Sequence, residues 1–214
     1  MLFNGTCHIY IEERESDIMS TTKPIKDKTD LEVIKNYYLE REEYRNYALI
    51  IIGLNTALRI SDILHLTWKD VYHYRRNTFH KHIYLTEKKT GKRTVIALNE
   101  AVIETLKMLL ASNGNQTTMP NPEEYIFIGR KNTGLPIDRV QAYRIIKEAA
   151  TAAGLDEYVS CHSLRKTFGY FAWKQGVPPA MLMDIYNHSS YKITKRYLCI
   201  EQEDKDNVFL SIKL

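Results

Sequence analysis

Only three cysteines, Cys7, Cys161 and Cys199, occur in 214 residues. Three cannot build a disulfide framework and leave one odd, which points to a reducing, cytoplasmic setting. No apolar run approaches the ~18 residues that a membrane helix needs. The longest, Tyr47 to Leu54, carries Gly53. The N-terminus has no basic region followed by an apolar stretch, so no secretory signal is expected and no membrane partner. Metal-ligand spacing is missing as well. Cys161-His162, or Cys199 with His188, could be imagined around zinc, but no close-spaced C-x-x-C or H-x-x-x-H pair exists. There is no phosphate-binding glycine loop, no dinucleotide fingerprint and no nucleophile elbow around a serine. Nucleotide hydrolysis, acyl transfer and a bound cofactor therefore have no support. Internal repeats and low-complexity segments are also lacking.

What remains is ordinary in bulk and uneven in charge. The length suits one domain with a small appendage, and 44% hydrophobic with 26% charged residues suits a packed core. The net charge of +4 hides a gradient: residues 1–20 hold one base against four acids, and residues 201–214 hold two bases against four. The body between them carries +9. An excess of that size fits either a solvated basic surface or, gathered on one face, a polyanion such as nucleic acid.

The pattern predicts mostly helices with a small antiparallel sheet, an α+β arrangement. Residues 1–25 read as an N-terminal tail, acidic and then polar. Thr29 and Glu32 resemble a capping box opening a helix to about Leu39. A buried helix is expected over 43–56 and a short one from Ser61. The period then changes to two over His80–Thr86, and Arg93–Leu98 is rich in β-branched residues, so a hairpin turning at Gly91 is expected. Asn99 can cap a helix over 100–111. Residues 112–124 read as loop, Tyr125–Ile128 as a third strand, and Asp138 with Gln141 as the start of a helix ending at Gly154. Ser163 is the expected cap of a helix that Gly176 ends. Pro178 suits the first turn of the next, which ends near His188, and a last helix spans Tyr191–Tyr197.

Four groups of residues could carry chemistry. Arg59 sits at a helix start among apolar neighbours in Leu58-Arg59-Ile60-Ser61-Asp62, where it needs an anion, either a ligand or Asp62 itself. From Tyr72 to Arg93 there are seven bases against the single acid Glu87. Such a hairpin either neutralises phosphates in a groove or simply guards a sheet edge with lysines. His162 and Arg165 lie three apart at a helix N-terminus, where free N–H groups and the helix dipole add positive potential for a phosphate. Finally, His188 precedes Tyr197 by nine residues with a helix between. One tyrosine among 15 says nothing by itself.

In this order, Arg…Lys…His-x-x-Arg…His…Tyr closely resembles the catalytic domain of the tyrosine recombinase (phage integrase) family, over about Thr29 to Ile200. The resemblance implies the family's DNA breaking-and-rejoining fold for 26–200. It assigns Arg59 as the first catalytic arginine, Lys89 in Lys89-Thr90-Gly91 as the hairpin lysine, His162 and Arg165 as the H-x-x-R pair, and His188 as the second histidine. Tyr197 becomes the nucleophile and Asp62 a supporting acid. Lys88 and Lys92 neighbour the hairpin lysine and, with Arg75, Arg76, Arg93, Arg130, Lys131, Arg139 and Arg144, are candidate DNA contacts. Two features depart from the pattern. Only about 28 residues precede the first expected helix, too few for the family's N-terminal clamp domain. Tyr186-Asn187 stand where Leu-Gly usually precede the second histidine, which is expected to alter the local turn.

The implied chemistry is transesterification without metal, nucleotide or other cofactor. Tyr197 attacks a DNA phosphodiester, a 5′-hydroxyl leaves, and a 3′-phosphotyrosine bond keeps the linkage until a second hydroxyl restores it. Arg59 and Arg165 would clamp the phosphate oxygens, His188 would add a donor, His162 would take the phenolic proton, and Lys89 would supply one to the leaving oxygen. The partners implied are double-stranded DNA and further copies of the chain, a dimer to tetramer on DNA and a monomer off it. The apolar residues of 201–214 either dock on a neighbour or pack on their own core. A nucleoid-associated recombinase or integrase of a mobile element is the expected function. A type IB topoisomerase-like relaxing enzyme and a non-recombining DNA-binding accessory are the alternatives.

Overall fold

A computed structural model describes residues 22–86, 91–112, 119–129, 134–155 and 157–213. In chain order the helices are α1 (Lys28–Leu39), α2 (Tyr44–Thr56), α3 (Ile60–Leu64), α4 (Trp68–Val71), α5 (Glu100–Ser112), α6 (Arg139–Ala152), α7 (Cys161–Lys174), α8 (Pro179–Tyr186), α9 (Tyr191–Tyr197) and α10 (Gln202–Ser211). Between α4 and α5 run β1 (Tyr72–His73), β2 (Thr78–Phe79), β3 (His82–Thr86) and β4 (Arg93–Ala97). The strands form two antiparallel pairs, β1 with β2 and β3 with β4. In the second, Tyr84 faces Val95 and Thr86 faces Arg93. Mainly helix with small antiparallel sheets is the expected class. The hairpin His80–Leu98 forms within its expected limits, although its turn, 87–90, lies outside the described residues.

Two caps differ from expectation in the same way. The α1 cap is Asp27, whose carboxylate accepts from the Thr29 N–H, so Thr29 is already inside the helix. The α7 cap is Ser160, with Ser163 returning a bond to the Ser160 N–H from the third position of a reciprocal capping box. Both true caps lie upstream of the residue the pattern favours, which places His162 and Arg165 in the first two turns of α7. Tyr125–Ile128 is no regular strand: it makes single bridges, Thr67 to Tyr125 and Ile128 to Pro136.

The centre is α2, buried from Ala48 to Gly53 and packed on α1, α5 and α7. A β-carbon on Gly53 would lie 2.6 Å from the Leu164 side chain, so α2 and α7 cross at a point that only glycine allows. That crossing brings Thr56, Ala57 and Leu58, at the end of α2, into one cleft with Arg165. A second close approach lies one turn further along α7, where a β-carbon on Gly169 would stand 2.4 Å from the Tyr186 hydroxyl and 2.5 Å from Leu198. It seats α8 and the segment after α9 on α7, above a separate apolar cluster of Ala57, Leu182, Tyr186, Leu198 and Ile200.

Both ends of the body are tied to α7. The last residues of the expected tail are packed: Ile25 is 1% exposed and its N–H donates to the Thr167 hydroxyl. Lys23 donates to the Tyr158 carbonyl, and the buried Lys166 ammonium to the Thr22 carbonyl. Residues 22–25 are therefore packed on the body. Residues 1–21 lie outside the described residues. The expected 201–214 segment is mostly α10, held by one buried carboxylate. Asp204 accepts from Lys26 at 2.9 Å, from the Tyr170 hydroxyl at 2.6 Å and from the Glu201 N–H at 2.9 Å. Burial pushes this carboxyl up, but the three donors outweigh it and hold it below the usual range. A carboxyl depressed by folding stabilises above its unfolded pKa of about 3.9, and the contribution is lost as pH falls through the lower folded value. Asp204→Ala is expected to cost about 1–3 kcal/mol by leaving buried donors unpaired. Thermal melts at neutral pH and at about pH 3 check this: the gap between wild type and variant should narrow in acid.

Candidate active site

Arg59 occupies the cap position of α3, in the link that follows the left-handed turn at Ala57. The N–H groups of Asp62 and Ile63 bond its carbonyl, fixing the backbone there. Asp62 is buried in the first turn of α3. Arg165, 5% exposed, lies with its guanidinium carbon 4.6 Å from the centre of the Tyr186 ring. Its charge acts on the Tyr197 phenol and favours the ionised form there. His162 stands exposed in the first turn of the same helix.

Tyr197 is the last residue of α9, half-buried, its ring 5.2 Å from both His188 and Tyr186. Burial raises its phenol pKa, and the charges of Arg165 and Arg59 offset part of that rise. The net shift is upward, so the hydroxyl is protonated at neutral pH. The His188 imidazole is shifted down by burial and then by Arg165 and Arg59, and is neutral there. Its Nδ1 lies 3.0 Å from the Thr194 hydroxyl, which also reaches the Ser190 carbonyl at 3.4 Å. When the hydroxyl proton goes to Nδ1, Nε2 carries the ring proton and can donate to an anion.

Four of the expected residues, Arg59, Arg165, His188 and Tyr197, thus share one electrostatic site, with His162 at the same end of α7. Lys89 lies outside the described residues, as do Lys88, Arg130 and Lys131. The remaining bases lie on several elements. Arg75 and Arg76 are exposed in the turn between β1 and β2. Arg93 is exposed at the start of β4, while Lys92 pairs with Asp184 of α8 at 2.8 Å. Arg139, exposed at the start of α6, acts electrostatically on Cys161 at the mouth of α7, and Arg144 is exposed further along α6. A cleft of about 470 Å³ between the hairpin and α8 opens onto Arg165 and is edged by Lys92, Arg93 and Asn187.

Sequence reasoning missed three side chains. Lys166 is buried next to Arg165, its ammonium 5.2 Å from the Tyr197 ring centre. Thr194 orients His188. Tyr186, noted only as a departure, lies beneath the whole site. The altered turn expected at Asn187 does not appear, since Asn187 takes the left-handed conformation itself, φ 56° and ψ 47°. A short polar side chain tolerates that region, so asparagine does here what glycine would.

Comparison with known proteins agrees with this geometry. Residues 26–203 match the phage integrase family. The chain is 40% identical over 185 residues to the probable integrase/recombinase YoeC of Bacillus subtilis (strain 168), covering 86% of this chain and 93% of that protein. It is 29% identical over 153 residues to the type 1 fimbriae regulatory protein FimE of Escherichia coli (strain K12), 72% of this chain and 73% of that one. The fold superposes on the XerH site-specific recombinase bound to its palindromic difH substrate with a TM-score of 0.70 at 18% identity. That match covers 94% of this chain and 55% of the XerH chain, so this chain spans about half of the larger protein. The chain belongs to the phage integrase family, whose members are DNA strand-transferring tyrosine recombinases. Among the described residues no helix is long and apolar enough to cross a membrane.

Proposed function

We propose that this protein is a site-specific DNA recombinase or integrase that cuts and rejoins double-stranded DNA through a 3′-phosphotyrosine at Tyr197. The observation that carries the reading is the clustering of Arg165, His188 and the Tyr197 phenol around the Tyr186 ring, with the Arg59 charge felt at both His188 and Tyr197. A phosphodiester placed there meets two forked, permanently charged donors and one imidazole N–H, all aimed where negative charge grows in the transition state. The arginines supply the positive charge that a metal provides in other phosphoryl transfers. The Tyr197 oxygen attacks phosphorus, the bond to the 5′-oxygen breaks, and the phenolic proton passes to a base. His162, exposed at the mouth of the site, is the residue for that step, and Lys89 on the hairpin protonates the leaving oxygen.

Residues 26–200 form the catalytic domain in this reading, and α10 is the segment through which copies associate on DNA. Its Val208, Phe209, Leu210 and Ile212 are exposed, Phe209 and Leu210 at 76%. Lys92 and Arg93 at the edge of the cleft, with the exposed Arg75, Arg76, Arg139 and Arg144, contact the phosphate backbone in this reading. An exposed ion pair such as Lys92–Asp184 is weak enough to be exchanged for a phosphate. The working place is the nucleoid, on the DNA of a mobile element.

The test is covalent capture. A nicked suicide duplex built from DNA flanking the gene is incubated with the protein and resolved on a denaturing gel. A protein–DNA adduct that forms in EDTA and without nucleotide is expected, and no adduct at any salt concentration or with added copies overturns the reading. Binding should also weaken steeply with salt, log Kobs falling by about 0.9 per phosphate neutralised. A flat salt dependence would remove the basic face from the argument.

A further inference from the structure

We propose that Tyr186 is a positioning residue for strand transfer, its ring the platform on which the Arg165 guanidinium and the His188 imidazole are held against the Tyr197 phenol. The inference rests on the reading of that cluster as the reacting site. Tyr186 is 2% exposed at the end of α8. Its hydroxyl donates to the backbone carbonyl of Arg165 at 2.8 Å, and its ring receives the guanidinium of the same residue at 4.6 Å. The His188 imidazole stacks on it at 5.5 Å with an interplanar angle of 26°, and the Tyr197 ring stands 5.2 Å away. One buried side chain therefore touches both donors and the nucleophile. The slot its hydroxyl fills is kept open one turn further along α7 by the missing β-carbon of Gly169.

An aliphatic residue could occupy the same volume. It could neither anchor itself on the Arg165 carbonyl nor attract a desolvated guanidinium with a ring face. A fork that loses its backing must be held by other contacts in the one orientation that meets a phosphate, and small misplacements of such groups are expensive in rate. A mere core filler behaves differently. Its loss lowers stability but leaves the folded molecules reacting at the normal rate.

Single-turnover adduct formation at saturating suicide duplex separates the two. Tyr186→Phe keeps the ring and should retain the rate within about threefold. Tyr186→Leu removes the ring and should slow adduct formation by about tenfold or more, with DNA affinity within about twofold. In the free protein, the Tyr186→Leu substitution should also move the His188 titration, followed by NMR of the ring, upward toward its ordinary value. Burial and the Arg165 charge both hold it down, and both relax when the ring is lost. Tyr186→Met replaces Tyr186→Leu if the latter does not fold. Either a wild-type rate at saturation or an unmoved His188 titration overturns the role of Tyr186 alone. Wild-type protein that forms no adduct overturns the strand-transfer reading and takes this inference with it.

Discussion

Tyr197→Phe is expected to bind cognate DNA as tightly as wild type and to form no covalent adduct. The substitution removes one oxygen and keeps the ring that packs against Tyr186, His188 and the Lys166 ammonium. Fold and phosphate contacts should therefore survive. Loss of the attacking group in a covalent mechanism costs about 10⁴-fold or more, so the adduct band should fall below detection. The nearest other phenol cannot take over, because the Tyr186 hydroxyl is buried and committed to the Arg165 carbonyl. The upward shift at Tyr197 adds a pH signature: the fraction of ionised phenol increases with pH, so single-turnover cleavage should rise through the neutral range until base transfer or strand release limits it. An adduct formed by the Tyr197→Phe protein would mean that another side chain attacks, and protease mapping of the labelled peptide would identify it.

The residues that proved legible in the sequence are those whose chemistry is costly where they stand. An arginine among apolar neighbours, a histidine three before an arginine at a helix mouth, and a histidine nine before a tyrosine each need a reason, and their order supplies one. The class of fold was legible through periodicity, because α2 carries an apolar stripe, β3 alternates and β4 is rich in β-branched residues. What was hidden depends on contacts distant in the chain. Residues 22–25 look like linker, yet bonds to Lys166, Thr167 and Tyr158 and the burial of Ile25 hold them on the body. Asp204 reads as one more acid in an acidic terminus until Lys26 and Tyr170 are seen to meet it. Tyr186 at a helix end reads as core, and so does its packing; that its ring carries a guanidinium depends on the crossing of α7 and α8, which no local pattern encodes. The misplaced caps have a local cause instead, since Thr29 and Ser163 are themselves residue types suited to a cap and stand within three residues of the true caps Asp27 and Ser160.

Arg165→Lys should be nearly as damaging to catalysis as Arg165→Ala, although it keeps the charge. The guanidinium lies over the ring face of Tyr186 and its charge acts on the Tyr197 phenol, and its planar fork offers paired donors that a lysine cannot reproduce. Removing a preorganised donor of this kind costs about 2.7–4 kcal/mol of transition-state stabilisation, or 10²–10³ in rate. An ammonium at the same place restores point charge but not the paired N–H geometry, so recovery should be about tenfold at most. The two variants should differ more in the ground state. Arg165→Ala removes the cation held over the Tyr186 ring, and the His188 titration should move up because one of the charges opposing its protonation is gone. Arg165→Lys should leave that titration close to wild type, since the charge remains. Rate and titration therefore separate under one pair of substitutions, and this separation distinguishes a forked phosphate clamp from a generic positive field. If Arg165→Lys reacted within about threefold of wild type at saturating DNA, the field alone would suffice, and the ring-backed geometry would have no catalytic consequence.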